Sequence, residues 1–226
     1  MRIGVLGGTF DPFHGGHLAI ARGAIRRLNL DRVLLMLAKD PPHKGQIRIT
    51  DCYHRYAMAV LATEGDSNLC VSNLELNRVG PSYTVETMRE LALHSAHRFC
   101  FLAGADSLRE IHLWKECDRL FRDNCLVFVP RVGVEVELND LKLAPELKMR
   151  IRTLAPGECP ELEPGSAFIL PLNPPPVSST GIRAELSRGI RPARSHLGAR
   201  VYRYIRKYRL YEEQQKGTAE EDLRRH

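Results

Sequence analysis

The chain reads as an α/β protein built on a doubly wound parallel sheet, and three observations predict that class. Six short runs, at about 2–6, 32–37, 69–72, 98–103, 125–129 and 167–170, have the aliphatic and β-branched content of strands. Between the early ones, apolar residues recur at helical spacing: Leu18, Ala21, Ile25 and Leu28; Tyr56, Ala57, Val60 and Leu61; Val85, Met88, Leu91 and Ala92. The strands are nearly continuous in apolar residues, as in Val33-Leu34-Leu35-Met36-Leu37, which suits a sheet covered on both faces. Such alternation predicts parallel pairing and puts ligands outside the carboxyl ends of the strands.

At 226 residues the chain suits one domain over 1–211. A loop-rich excursion is expected at about 131–166, carrying one helix near 145–152. A small helical part follows at about 178–211, and 212–226 read as a polar tail that frays. The six cysteines form no C-x-x-C pair, and Cys70, Cys100 and Cys125 sit in strand-like runs. Free, buried thiols in a reducing compartment are expected. Met1-Arg2 opens directly into the first strand without a signal-peptide pattern, and no apolar run approaches the roughly 18–20 residues that span a bilayer. The expected location is the cytoplasm.

The net charge of +6 suits acidic ligands. Eight arginines fall between Arg183 and Arg209. Arg200, Arg203 and Lys207 share one helical face, and Val201, Tyr204 and Ile205 share another. That is a docked amphipathic helix with a solvated basic side. No aromatic-plus-basic strand motif accompanies it, so nucleic acid is not the expected partner.

The first strand runs into Gly7-Gly8-Thr9-Phe10-Asp11-Pro12-Phe13-His14-Gly15-Gly16-His17 and then a helix. A strand, a glycine-bearing turn and a helix start hold anions, because free N–H groups and the positive dipole end face the ligand. His14 and His17 add donors where negative charge would develop. The spacing fails both G-x-G-x-x-G and the Lys-Ser/Thr of a P-loop, which argues against a dehydrogenase and a Walker-type NTPase.

Four more motifs follow strands. In Pro41-Pro42-His43-Lys44 the prolines stiffen the exit of 32–37, and Lys44 is a compact charge suited to phosphate. In Gly80-Pro81-Ser82-Tyr83-Thr84, Ser82 or Thr84 could cap the helix 85–94, or the turn's N–H groups could hold a carboxylate. In Gly104-Ala105-Asp106-Ser107, Asp106 could accept from ribose hydroxyls or cap the helix 107–112. Trp114, the only tryptophan, sits where an aromatic packs at a rim or stacks on a ligand. Ser178-Ser179-Thr180-Gly181-Ile182-Arg183 places hydroxyls at a helix start with an arginine one turn in, a second anion-binding end.

Gly8-Thr9-Phe10-Asp11-Pro12 with His14-x-x-His17 resembles the signature of the nucleotidyltransferases that carry a T/H-x-G-H motif. The Gly-Gly-Thr-Phe-Asp-Pro form is most similar to bacterial nicotinate mononucleotide adenylyltransferases, and five motifs stand in family order from Gly4 to about Tyr211. The resemblance implies a Rossmann-like nucleotidyltransferase fold and transfer of AMP from ATP to nicotinate mononucleotide, giving deamido-NAD and pyrophosphate. It implies catalytic roles for His14, His17, Lys44 and Arg183. It implies an ATP site of Gly7, Gly8, Thr9, Phe10, His17, Gly104, Asp106, Ser179, Thr180 and Arg183. It implies an acceptor site of Lys44, Ser82, Tyr83, Thr84 and Trp114, with the Ser-Tyr-Thr turn on the pyridine carboxylate and the tryptophan on the ring. The triple proline 174–176 departs from the apolar strand that usually leads into the Ser-x-Thr-x-x-Arg motif.

Magnesium is expected to arrive with ATP, without a dedicated protein metal site. The expected partners are small molecules, with neither nucleic acid nor membrane, and homo-oligomerisation is left open. Three other readings stand beside this one: a related adenylyltransferase using nicotinamide mononucleotide or another phosphorylated acceptor; a metal hydrolase built on His14, His17 and His43; and a non-catalytic nucleic-acid binder.

Overall fold

Seven strands pair in the order β3-β2-β1-β4-β5-β7-β6, every neighbouring pair parallel. They are β1 (Arg2–Gly8), β2 (Arg32–Leu37), β3 (Leu69–Ser72), β4 (Arg98–Gly104), β5 (Cys125–Val129), β6 (Ile151–Thr153) and β7 (Ala167–Ile169). This computed structural model describes residues 1–41, 49–130 and 136–212. The helices are α1 (Gly15–Leu28), α2 (Cys52–Thr63), α3 (Thr84–His94), α4 (Ala105–Glu110), α5 (Cys117–Asp123), α6 (Pro145–Lys148), α7 (Ser179–Ser187) and α8 (Ala199–Lys207). From β1 the chain builds outward to β3, then returns to the other side of β1 as β4. The strand order reverses between β1 and β4, which is where a doubly wound sheet opens a crevice.

Alternation along the strands feeds two cores. Leu6, Leu35, Leu37, Cys100, Leu102 and Val127 pack with Ala21, Ala24 and Leu28 of α1 and Ala59 of α2. Their neighbours Val5, Met36, Phe101, Ala103, Leu126 and Phe128 pack with Val85 and Met88 of α3, Leu108 of α4, and Leu120 and Phe121 of α5. Both sheet faces are covered, so nearly every strand position is apolar. A third cluster joins Met58 of α2 to Ile182 and Leu186 of α7, and to Val201 and Ile205 of α8. On α8, Arg200, Arg203 and Lys207 are exposed while Val201 and Ile205 are buried.

The irregular segment departs from the sequence reading. The helix expected near 145–152 is a single turn, Pro145–Lys148, and the chain then extends into β6, the edge strand that makes seven where six were expected. Pro145 starts a turn readily, but three residues paired on one side leave too short a pattern to be read. Helix α5, seven residues long, went unread for the same reason. The triple proline 174–176 carries no strand.

Candidate active site

The turn after β1 ends in a reciprocal cap. His14 is the N-cap of α1, and its Nδ1 accepts from the Gly16 N–H at 3.1 Å. The His14 N–H donates to Nδ1 of His17 at 3.3 Å. Both Nδ1 atoms are acceptors, so each neutral ring carries its proton on Nε2. The rings stack, centroids 3.8 Å apart. Two imidazoles are thus fixed in one tautomer at a helix N-terminus, a geometry suited to donating to anionic oxygen. A Cβ on Gly15 would lie 2.0 Å from the Ser195 carbonyl oxygen, and the Gly15 N–H donates to the His196 carbonyl at 2.8 Å. Only glycine lets that loop cross the helix start.

The same turn is held from below by buried charge. Arg55 on α2 is 1 % exposed. Its guanidinium donates to the carbonyls of Thr9, Ala38, Lys39 and Thr50, between 2.7 and 2.9 Å. Burial lowers its pKa, and the charge of Asp11 opposes that shift. Asp11, also buried, accepts from the Thr50 N–H at 3.2 Å and the Tyr211 hydroxyl at 2.6 Å. Helix α7 docks on the other side of the turn. Ser178 Oγ caps it by accepting from Gly181 N–H, and Ser179 Oγ donates to the Pro12 carbonyl at 3.1 Å. Arg183 donates to the Asp11 carbonyl at 2.7 Å and to Thr180 Oγ1 at 3.2 Å. The first and last sequence motifs therefore meet.

A cleft of about 220 Å³ opens beside them, outside the strand ends at the β1–β4 reversal. Gly7, Gly8 and Thr9 line one part; Ser82, Tyr83, Thr84 and Trp114 line another. Trp114 is half-buried and meets Phe101 edge to face, centroids 5.9 Å apart. Lys115 bonds Glu86 at 2.5 Å and lies 4.5 Å from the centre of the Tyr83 ring.

Other expected residues take less direct places. Neither Ser82 nor Thr84 caps α3: Tyr83 is its N-cap and makes no side-chain capping bond, because the helix begins one residue earlier than read. Nor does Asp106 cap a helix, since α4 starts at Ala105 and leaves Asp106 exposed in the first turn. At Gly104 the space about the absent Cβ is open. The Phe10 ring is buried against Phe13 and His17, and its backbone holds φ +51°, so the side chain is packed into the protein rather than turned to the cleft. Lys44 and His43 lie outside the described residues.

Residues 5–185 match the family described as Cytidylyltransferase-like. A protein of Thermus thermophilus named "Probable nicotinate-nucleotide adenylyltransferase" is 39% identical over 212 residues, covering 93% of this chain and 100% of its own. One of Thermoanaerobacter sp., with the same name, is 36% identical over 213 residues, covering 93% and 94%. The chain belongs to the nicotinate-nucleotide adenylyltransferase family.

The fold of this adenylyltransferase family member also matches a solved structure. Plasmodium falciparum nicotinic acid mononucleotide adenylyltransferase complexed with APC aligns at a TM-score of 0.66 and 18% identity, covering 93% of this chain and 96% of that one. Among the described residues of this family member no three His, Cys, Asp or Glu side chains are grouped to hold a metal, and no helix is long and apolar enough to cross a membrane. Sequence reading missed Arg55 and Tyr211, whose part in holding the turn shows only as burial and long-range hydrogen bonds.

Proposed function

We propose that the chain transfers AMP from ATP to nicotinate mononucleotide, giving deamido-NAD and pyrophosphate. One observation carries the reading: a single cleft holds both the Gly7–Thr9 turn, suited to phosphate, and the Ser82–Thr84 turn with Trp114, suited to a flat anionic acceptor. A phosphate oxygen of the mononucleotide attacks the α-phosphorus of ATP, the bond to the β-phosphate oxygen breaks, and pyrophosphate leaves. The acceptor phosphate is already a nucleophile, so the protein supplies position and charge stabilisation.

His14 and His17 donate from Nε2 to the oxygens that gain charge, aided by Arg183 and Lys44. Gly7, Gly8, Thr9 and the backbone of Phe10 receive ATP with Gly104, Asp106, Ser179 and Thr180. Ser82, Tyr83, Thr84 and Lys44 receive the acceptor, and Trp114 stacks on its ring. Magnesium enters as part of the nucleotide substrate, keeping most of its shell of water and phosphate oxygen.

A single domain over 1–211 fits the cluster that ties α7 and α8 to α2. The six cysteines are free, which suits a cytoplasmic enzyme, but only Cys100 and Cys125 are buried as expected; Cys52, Cys70 and Cys117 are half-buried and Cys159 is exposed. The reading is tested by incubating purified protein with magnesium, ATP and nicotinate mononucleotide. Pyrophosphate and deamido-NAD appearing in equal amounts is the expected result. Pyrophosphate without dinucleotide would sink it.

A further inference from the structure

We propose that Glu75 is a specificity-determining residue of the acceptor half of the cleft, its buried carboxyl sensing the charge of the substituent received by the Ser82–Thr84 turn. The inference rests on the function proposed above and assigns a discriminating group to it.

Glu75 is 5 % exposed and lines the cleft together with Ser82, Tyr83, Thr84 and Trp114. Its Oε1 accepts from Thr87 Oγ1 at 2.6 Å, and Thr87 in turn accepts from Arg78 at 2.8 Å. Arg78 pairs at its other end with Glu90 of α3. Ser82 is buried beside this carboxyl, and its hydroxyl interacts with the Glu75 side chain. The cleft wall therefore presents a carboxyl that can give or withhold a proton, beside the hydroxyls of Ser82 and Thr87.

A carboxylate brought to this turn shares the wall with Glu75, and two carboxylates at one site do not both ionise freely. Protonated, Glu75 is a donor and favours the acid. Ionised, it repels the acid, and it accepts from an amide N–H.

Burial raises the Glu75 pKa above the usual carboxylate range, and Glu90 adds to the shift; Thr87, Ser82 and Arg78 oppose it. Among the described residues, the other charged groups around the wall are Glu110 of α4, the Lys115–Glu86 pair, and Lys39, whose ammonium bonds the Arg78 carbonyl. Preference between acid and amide acceptors thus depends on pH. Because the folded pKa is raised, the donor form prevails at low pH and is lost as pH rises through the shifted value.

The experiment measures kcat/KM for nicotinate mononucleotide and for nicotinamide mononucleotide against pH, with the wild type and Glu75→Gln. Both acceptors carry the same phosphate and use the same catalytic donors, so the titrations of those groups cancel in their ratio. The wild-type acid-to-amide ratio is expected to fall about tenfold as pH rises through the raised Glu75 value, the size of a one-unit coupling between two carboxylates. Glu75→Gln, which still accepts from Thr87, is expected to give a ratio independent of pH. Should that variant not fold, Thr87→Val removes a group that favours the ionised form and is expected to move the wild-type midpoint upward. A flat wild-type ratio, or an unchanged slope in Glu75→Gln, overturns the inference alone. No dinucleotide from either acceptor overturns the proposed function and the inference with it.

Discussion

The Tyr211 hydroxyl donates to the buried Asp11 carboxylate across 2.6 Å, joining the end of the C-terminal helical part to the turn that carries His14. Asp11 also takes the Thr50 N–H and faces the Arg55 charge, and its own carbonyl receives Arg183. Tyr211→Phe keeps the ring and deletes the donor. It is expected to cost about 1–3 kcal/mol in denaturant unfolding. Burial and the Asp11 charge raise the Tyr211 pKa far above normal. The unfolded tyrosine ionises near pH 10, so wild-type stability is expected to fall as pH rises past that value, and more steeply than in Tyr211→Phe. Equal slopes would remove this residue from the alkaline transition.

Gly15→Ala drives a Cβ into the Ser195 carbonyl, with backbone on both sides of the clash. The loop over the helix start must shift, and the Gly15-to-His196 hydrogen bond is lost with it. A loss of about 1–3 kcal/mol is expected in thermal or chemical unfolding, accompanied by faster amide exchange at Gly15. A variant as stable as the wild type would mean that the loop stands further off.

His17 has two separable duties. Its Nδ1 completes the cap, while its Nε2 is proposed to donate to the phosphate being transferred. His17→Ala is expected to lower kcat by about 10²–10³ and to cost about 1 kcal/mol of stability. His17→Gln restores a side-chain acceptor at the third helical position. It is expected to recover the stability and leave the rate low. Near-wild-type kcat in either variant contradicts the role.

Trp114 lines the cleft beside Ser82, Tyr83 and Thr84, touches Phe101, and is proposed to stack on the acceptor ring. Trp114→Ala is expected to raise KM for nicotinate mononucleotide about three- to tenfold, the worth of one aromatic stacking contact, with KM for ATP unchanged. Steady-state kinetics with each substrate varied in turn decides it. An equal rise for ATP would put the ring elsewhere in the reaction.

The central strands were legible because both their faces are buried, so composition alone marks them. The motifs were legible because turn and cap chemistry is written in consecutive residues, as at Gly7–His17 and Ser178–Arg183. What escaped acts across the chain. Arg55 bonds Thr9 from 46 positions away, and Tyr211 reaches Asp11 across 200. In sequence, Arg55 is one polar position of an amphipathic helix, and Glu75 is a lone acid between leucines. Only burial turns each into a group that must find partners. Edge strand β6 escaped for the opposite reason: three residues, two of them exposed, carry almost no burial pattern.

Transfer of the adenylyl group by attack at the α-phosphorus is tested with ATP labelled at the α-phosphate, unlabelled nicotinate mononucleotide and the wild-type protein. The label is expected to pass into deamido-NAD while all pyrophosphate released is unlabelled. Label recovered as AMP, or a dinucleotide without label, would contradict it.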